Sequence, residues 1–220
     1  GLHLNYSKRE MARDNVELMK ALGFEQFSIL AHDRGARVAH RLALDHPATV
    51  QRMMLLDIAP TLAMYAQTNE AFARAYWHWF FLIRPAPLPE TLIEANPEAY
   101  LRSVMGSRSA GLKPFTDEAF GEYLRCLQQP GSARAICEDY RASADIDLQH
   151  DRADIDAAHH LQLPLRVLWG AEGTVGRCFD PLREWQQVAS NVSGQALPAG
   201  HYLAEEVPEQ LLAEALAFLR

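Results

Sequence analysis

The chain has 220 residues, 49% hydrophobic and 22% charged, a composition that allows a globular domain with a full core. Its 28 Asp and Glu outweigh 21 Lys and Arg, and the net charge of −7 excludes nucleic acid and anionic membranes as expected partners. No apolar run is long enough for a bilayer, no secretion signal is expected, and three scattered cysteines (Cys126, Cys137, Cys178) read as reduced packing residues of a cytoplasmic protein.

Residues 7–22 read as the first helix. Ser7 and Glu10 form the capping box SKRE, Met11, Leu18 and Leu22 share a face, and Gly23 ends it. In QFSILAHDRGARV (26–38) an apolar run meets a corner at Asp33, flanked by Ala31 and Gly35, and a helix follows from Arg34 to Asp45, stopped by Pro47. This is the pattern of a strand-to-helix elbow that holds a nucleophile above a sheet, with small residues expected because the two backbones approach closely. A carboxylate there is ionised at neutral pH, and the helix N-terminus favours its charge. It needs no base to attack an electrophilic carbon and form an ester. Residues 50–58, VQRMMLLDI, form a second strand with Asp57 at its end.

Residues 61–160 hold no good strand. They read as helical segments at 61–83, 89–105, 116–128 and 132–142, with PAPLP (85–89) as a stiff extended connector. A strand at 164–169 ends in Gly170. A helix from Leu182 to Ala189, a short strand at 193–197, the loop PAGHY and a helix from Glu206 to Leu219 complete the chain. Alternating strands and helices imply an α/β fold with a parallel sheet and ligands at the strand C-termini, the edge on which Asp33, Asp57, Gly170 and His201 all fall. The expected division is a first segment of the α/β core at 1–60, an inserted all-helical cap at 61–160 and a second core segment at 161–220. A sheet that begins with the elbow strand has a bare edge, and residue 1 is Gly, so an N-terminal portion with the first strands is expected to be missing.

Asp33, Asp57 and His201 match a nucleophile, acid and base set, recognised by roles rather than by position. His201 would deprotonate the water that hydrolyses the aspartyl ester, and Asp57 would fix the imidazole tautomer. Asp180 and Glu172 are rivals for the acid. Arg34 and Arg37 lie three apart on the first turn of the elbow helix, where cations oppose the helix dipole. That cost points to an anionic partner: Asp33 itself, a substrate carboxylate, or acids of the helical block. No residue pattern calls for a cofactor or a metal. A small-molecule substrate is expected, and a homodimer is compatible with the sequence.

HDRGARVAHRLALDHP, DIAPT, YWHWFFLIRPAPLPE, CEDYRA, WG with FDPLREW, and GHYLAEEVPE together resemble the haloacetate and fluoroacetate dehalogenases of the α/β-hydrolase superfamily. The resemblance implies that Asp33 is the nucleophile, that Arg34 and Arg37 bind the substrate carboxylate, and that His78 and Trp79 donate hydrogen bonds to the leaving halide. It implies dehalogenation of short 2-haloacids through an aspartyl ester. An epoxide hydrolase with the same Asp33, His201 and Asp57 is the alternative, with Tyr65, Tyr76, Tyr100 and Tyr123 available as acids, and a catalytically incompetent fragment is a third reading. An ungapped match puts Asp145 where fluoride-cleaving members carry a third halide donor, a tyrosine. A carboxylate there repels halide, so fluoride is not expected as a leaving group, and Tyr140 is expected to be structural.

Overall fold

The computed structural model describes residues 2–220. A short 3-10 turn leads into α1 (Lys8–Ala21), followed by β1 (Phe27–His32), α2 (Asp33–Asp45) and β2 (Val50–Leu56). Eight helices come next: α3 (Thr61–Ala66), α4 (Glu70–Ala75), α5 (Trp77–Leu82), α6 (Leu88–Ala95), α7 (Pro97–Gly106), α8 (Asp117–Leu127), α9 (Ser132–Ser143) and α10 (Ile146–Asp156). The chain closes with β3 (Leu165–Gly170), α11 (Thr174–Cys178), α12 (Pro181–Gln186), β4 (Val192–Leu197), α13 (Leu203–Glu206) and α14 (Pro208–Leu219).

All strand pairs are parallel, in the order β1-β2-β3-β4. The two-residue alternation of a strand sends Met53, Leu55 and Val167 to one face, against Ala36, Leu42 and Trp185, and Met54, Leu56 and Leu168 to the other, against Leu203 and Leu211. Both faces are therefore apolar, as a parallel sheet requires. The helical block has its own core of Met64, Phe72, Trp79, Leu82 and Ile93. No helix among the described residues is long and apolar enough to cross a membrane.

Several boundaries differ from expectation for local reasons. The 61–83 segment is three helices, because the Asn69 side chain accepts from the Phe72 N–H at 3.0 Å and starts a new one. The 89–105 segment breaks where Asn96 caps α7 and Pro97 supplies no N–H. PAPLP is a turn running into α6 instead of an extended connector. The expectation omits α10, which has no apolar stripe and buries only Asp147 and Leu148. Pro208 divides the last helix into α13 and α14.

In α1 half of the capping box forms: Ser7 Oγ accepts from Glu10 N at 3.3 Å, while the Glu10 carboxylate pairs with Arg13. Gly23 follows α1 at φ +88°, a conformation natural to glycine. On the face shared by Met11, Leu18 and Leu22, Leu18 is 57% and Leu22 61% exposed, and Ala12 and Val16 face the core instead. Met11 and Met19 of α1 line a surface cleft with Phe27, Ile29 and Leu30 of β1, which lies at the sheet edge.

Candidate active site

Asp33 is the first residue of α2, immediately after β1, at φ +46°. This left-handed backbone is uncommon for a side chain other than glycine, asparagine or aspartate, and it is the strained corner that lifts the carboxylate off the sheet. Gly35 does not answer to a close approach: a Cβ built there meets nothing within 4 Å, contrary to the expectation for the elbow. The tight approach is at Gly170 instead. A Cβ there would lie 1.9 Å from the Gly200 carbonyl oxygen, so only glycine lets the end of β3 pass beneath the His201 loop.

The histidine completes a three-residue chain. His201 Nδ1 lies 2.7 Å from Asp57 Oδ2, and His201 Nε2 lies 3.3 Å from Asp33 Oδ2. Asp57, fully buried at φ +48°, also accepts the Gly170 N–H at 3.0 Å. The rivals for the acid position lie elsewhere: Asp180 accepts the Arg183 N–H at the start of α12, and Glu172 is exposed with no contact to the imidazole. Burial alone would lower the His201 pKa, but the hydrogen bonds to Asp33 and Asp57 outweigh it and push it up to about 9. Burial opposes ionisation of Asp33, yet the hydrogen bond and charge of His201 hold its carboxyl well below the usual range. The His32 ring nitrogen Nε2 sits 2.8 Å from the His201 carbonyl oxygen, tying the elbow to the histidine loop.

The cavity above Asp33 has a volume of about 610 Å³ and is lined by Arg34, His78 and Tyr140 together with apolar residues of the helical block. Arg34 donates from Nε to Asp139 Oδ2 at 2.6 Å and from Nη2 to Ser143 Oγ at 2.5 Å, and its guanidinium lies 4.0 Å over the Tyr140 ring. Its Nη1 is buried without a partner, a donor left for a ligand. Arg37 is placed differently from Arg34. It lies beneath the cavity, donating to the Ala59 carbonyl at 3.1 Å and to Thr61 Oγ1 at 2.9 Å, with its charge 4.8 Å from the Trp79 ring.

His78 lines the cavity, and burial, followed by the charge of Arg108, lowers its pKa to about 3, so its ring is a neutral donor. Trp79 packs with Tyr65, Phe72 and Tyr140 just behind that wall. Asp145 does not face the cavity: it bonds His3 at 2.9 Å and Gln149 at 2.8 Å on the outer surface. The Tyr140 ring instead stands 5.9 Å from that of His78 in the cavity wall. Asp145 stands at the start of α10, and its carboxylate points away from the cavity. Arg108, also in the cavity wall, carries no sequence signal because it sits in an irregular segment with no motif. Among the described residues no group of three or more His, Cys, Asp or Glu is arranged to hold a metal ion.

Residues 3–136 match the family model of the alpha/beta hydrolase fold. The chain is 39% identical over 208 residues to a fluoroacetate dehalogenase from a Burkholderia species, covering 94% of this chain and 68% of the relative. It is 31% identical to a soluble epoxide hydrolase from Corynebacterium sp. (strain C12), covering 97% and 73%. A crystal structure of a candidate α/β hydrolase from Nostoc sp. PCC 7120 superposes with a TM-score of 0.95 at 54% identity, covering 99% of this chain and 74% of that one. With its parallel sheet, its elbow and this similarity, the chain belongs to the α/β-hydrolase family, as a dehalogenase-like hydrolase.

Proposed function

We propose that the chain dehalogenates short 2-haloacids hydrolytically, through an ester on Asp33. Asp33 Oδ1, free of hydrogen bonds within the described residues, attacks the α-carbon in line with the carbon–halogen bond, and the halide leaves with the bonding pair. Arg34 Nη1 holds the substrate carboxylate from the cavity wall, and Arg37 offsets negative charge from below. His78, with the Trp79 indole and the Tyr140 hydroxyl behind and beside it, is the donor set for the departing halide. Residues 61–160 serve as the cap that closes this space over the core.

The second half follows from the first. In the free site two carboxylates hold His201 protonated. Esterification of Asp33 removes one of those charges, the imidazolium gives up its proton to solvent, and neutral Nε2 then takes a proton from the attacking water. Hydroxide adds to the ester carbonyl carbon, the bond from that carbon to the ester oxygen breaks, the His201 imidazolium returns its proton to the departing oxygen, and the 2-hydroxyacid leaves with the oxygen that Asp33 supplied while Asp33 regains its carboxylate. The Arg34 N–H, next after the corner, is one donor to the oxyanion.

The observation that carries this reading is a guanidinium with an unpartnered nitrogen in the same cavity wall as an ionised corner aspartate. A second reading, epoxide opening, draws on Tyr100 and Tyr123, which line the cavity, while Tyr65 and Tyr76 do not; on a neutral epoxide the free Nη1 of Arg34 would stay unpartnered. His201→Gln incubated with chloroacetate is expected to accumulate one carboxymethyl group on Asp33, seen by peptide mass spectrometry. An unmodified Asp33 with chloroacetate, together with diol formation from styrene oxide by the unsubstituted chain, would reverse the order of the two readings.

A further inference from the structure

Arg108 lies between α7 and α8 and lines the same cavity as Arg34 and His78. The other arginines most enclosed in the fold have carboxylate partners, except Arg37, which does not line the cavity. Arg34 pairs with Asp139, Arg41 with Asp45, Asp151 and Asp154, and Arg141 with Glu90 and Glu138, while Arg37 has a carbonyl and a hydroxyl. Among the described residues no carboxylate lies within 4.0 Å of Arg108; its guanidinium rests 4.4 Å over the Tyr76 ring and its Nε is buried without a partner. Its polar neighbour is the hydroxyl of Tyr202, which brings no charge at neutral pH, and the charge of Asp33 in the same cavity acts on it from beyond 4.0 Å. A charge so enclosed is costly unless a counter-charge arrives; Arg108 lines both the cavity and a small cleft of about 40 Å³ beside Glu172 and His201, and the cavity of about 610 Å³ is the one with room for a ligand.

Its position is fixed relative to the reacting atoms. A Cβ on Gly200 would lie 2.1 Å from Ser109 Oγ, so the Arg108 segment and the His201 loop are packed backbone to side chain. A continuous row of ring contacts joins the two cationic walls. Arg108 covers Tyr76, the Tyr76 and His78 rings are 5.3 Å apart, the His78 and Tyr140 rings 5.9 Å, and Arg34 covers Tyr140 at 4.0 Å. His78 is thus flanked by two guanidinium groups, one with a carboxylate partner and one without. A cavity of about 610 Å³ has room for far more than a two-carbon acid.

We propose that Arg108 is the specificity-determining residue of this site and binds a second carboxylate, so that the favoured substrates are four- or five-carbon 2-halodicarboxylates. The inference rests on the dehalogenase reading: Arg34 takes the carboxylate next to the reacting carbon, the halogen points to His78, and the distal carboxylate meets Arg108. The covalent steps and their balance are unchanged, since the second carboxylate only binds.

The test compares 2-bromosuccinate with 2-bromopropanoate by bromide release, and succinate with propanoate as unreactive probes by tryptophan fluorescence. The chain, Arg108→Gln and Arg108→Lys are each measured, with thermal midpoints recorded to show that the variants are folded. The expected result is succinate binding at least about tenfold tighter than propanoate, the scale of one charge-assisted contact. In Arg108→Gln the kcat/KM ratio of dianion to monoanion falls by about the same factor, through KM rather than kcat, and Arg108→Lys recovers part of it. Equal loss on both substrates, or no preference for succinate in the unsubstituted chain, overturns the proposal and assigns Arg108 to packing on Tyr76. Bromopropanoate turnover without a dianion preference leaves the dehalogenase reading standing and removes this one. Preferred succinate binding that depends on Arg108, with both bromoacids inert, removes the dehalogenase reading and the halodicarboxylate substrates with it, and keeps only the carboxylate site at Arg108.

Discussion

The pH behaviour of single residues is set by the Asp33–His201–Asp57 chain. His201 carries a pKa of about 9 against an ordinary 6.5, so the folded state binds its proton more tightly than the unfolded chain does. Its contribution to stability is complete below about pH 6.5 and is lost as pH rises through about 9. His201→Gln should therefore flatten the fall in urea midpoint across that interval. The kinetic counterpart separates the two half-reactions. Asp33 is ionised throughout, so alkylation measured by rapid quench should be level from about pH 5 to 8. Ester hydrolysis should rise with pH through the ordinary histidine range, because the alkylated site has lost one of the carboxylates that hold the imidazolium. At Arg37, replacement by Leu strands the Ala59 carbonyl and the Thr61 hydroxyl and should cost about 2–4 kcal/mol by urea unfolding, more than truncation of an exposed residue.

At the scale of elements, two glycines that look alike in the sequence differ in what they permit. Gly35 sits inside α2 with open space where a Cβ would go, so Gly35→Ala should stabilise by roughly 0.5–1 kcal/mol through helix propensity and unfolded-state entropy. Gly170→Ala drives a methyl into the Gly200 carbonyl and should dislodge the His201 loop, abolishing turnover even where the circular dichroism spectrum survives. The elbow motif in the sequence marks where the corner is; which glycine is sterically required depends on a loop far along the chain that no local pattern encodes. The helical block shows the same division. Its helical content was legible from periodicity, but α10 was not, because its contacts are ionic rather than apolar: Arg41 reaches Asp151 at 3.1 Å and Asp154 at 2.7 Å. Burial, partly offset by Arg41, lifts the Asp151 pKa to about 6.

Across the whole molecule the first helix, the elbow helix and the helical block are joined at one buried acid. Asp139 receives Arg34 Nε at 2.6 Å and pairs with Lys8, whose own backbone N–H donates to Asp147 at 2.9 Å. Burial lowers the Lys8 pKa and the charge of Arg34 adds to that, with Asp139 and Asp147 pulling the other way. Asp139→Asn leaves Arg34 without its counter-charge and Lys8 with only Asp147 at 3.6 Å, and should cost about 3–5 kcal/mol, whereas Glu70→Gln, which breaks an exposed i,i+4 pair, should cost under about 1 kcal/mol. Thermal or urea unfolding of both variants checks the contrast. The same network explains why a resemblance-based reading of Arg34 was incomplete: its guanidinium is shared between the cavity and the framework.

Sequence alone determined the parallel α/β arrangement, the corner at Asp33, the three residues at the strand ends and the helical character of the segment between β2 and β3. Each of these is written in neighbours: a two-residue or 3.6-residue apolar period, a cap, or a nucleophile between small residues. The tertiary structure decided what depends on distant chain segments meeting. It chose Asp57 over Asp180 and Glu172, turned Asp145 outward and Tyr140 inward, put Arg37 beneath the cavity instead of in its wall, and brought Arg108 beside His78. A side chain's local pattern fixes its element and its face, but the counter-charge it meets across the cavity is set only by how the elements pack.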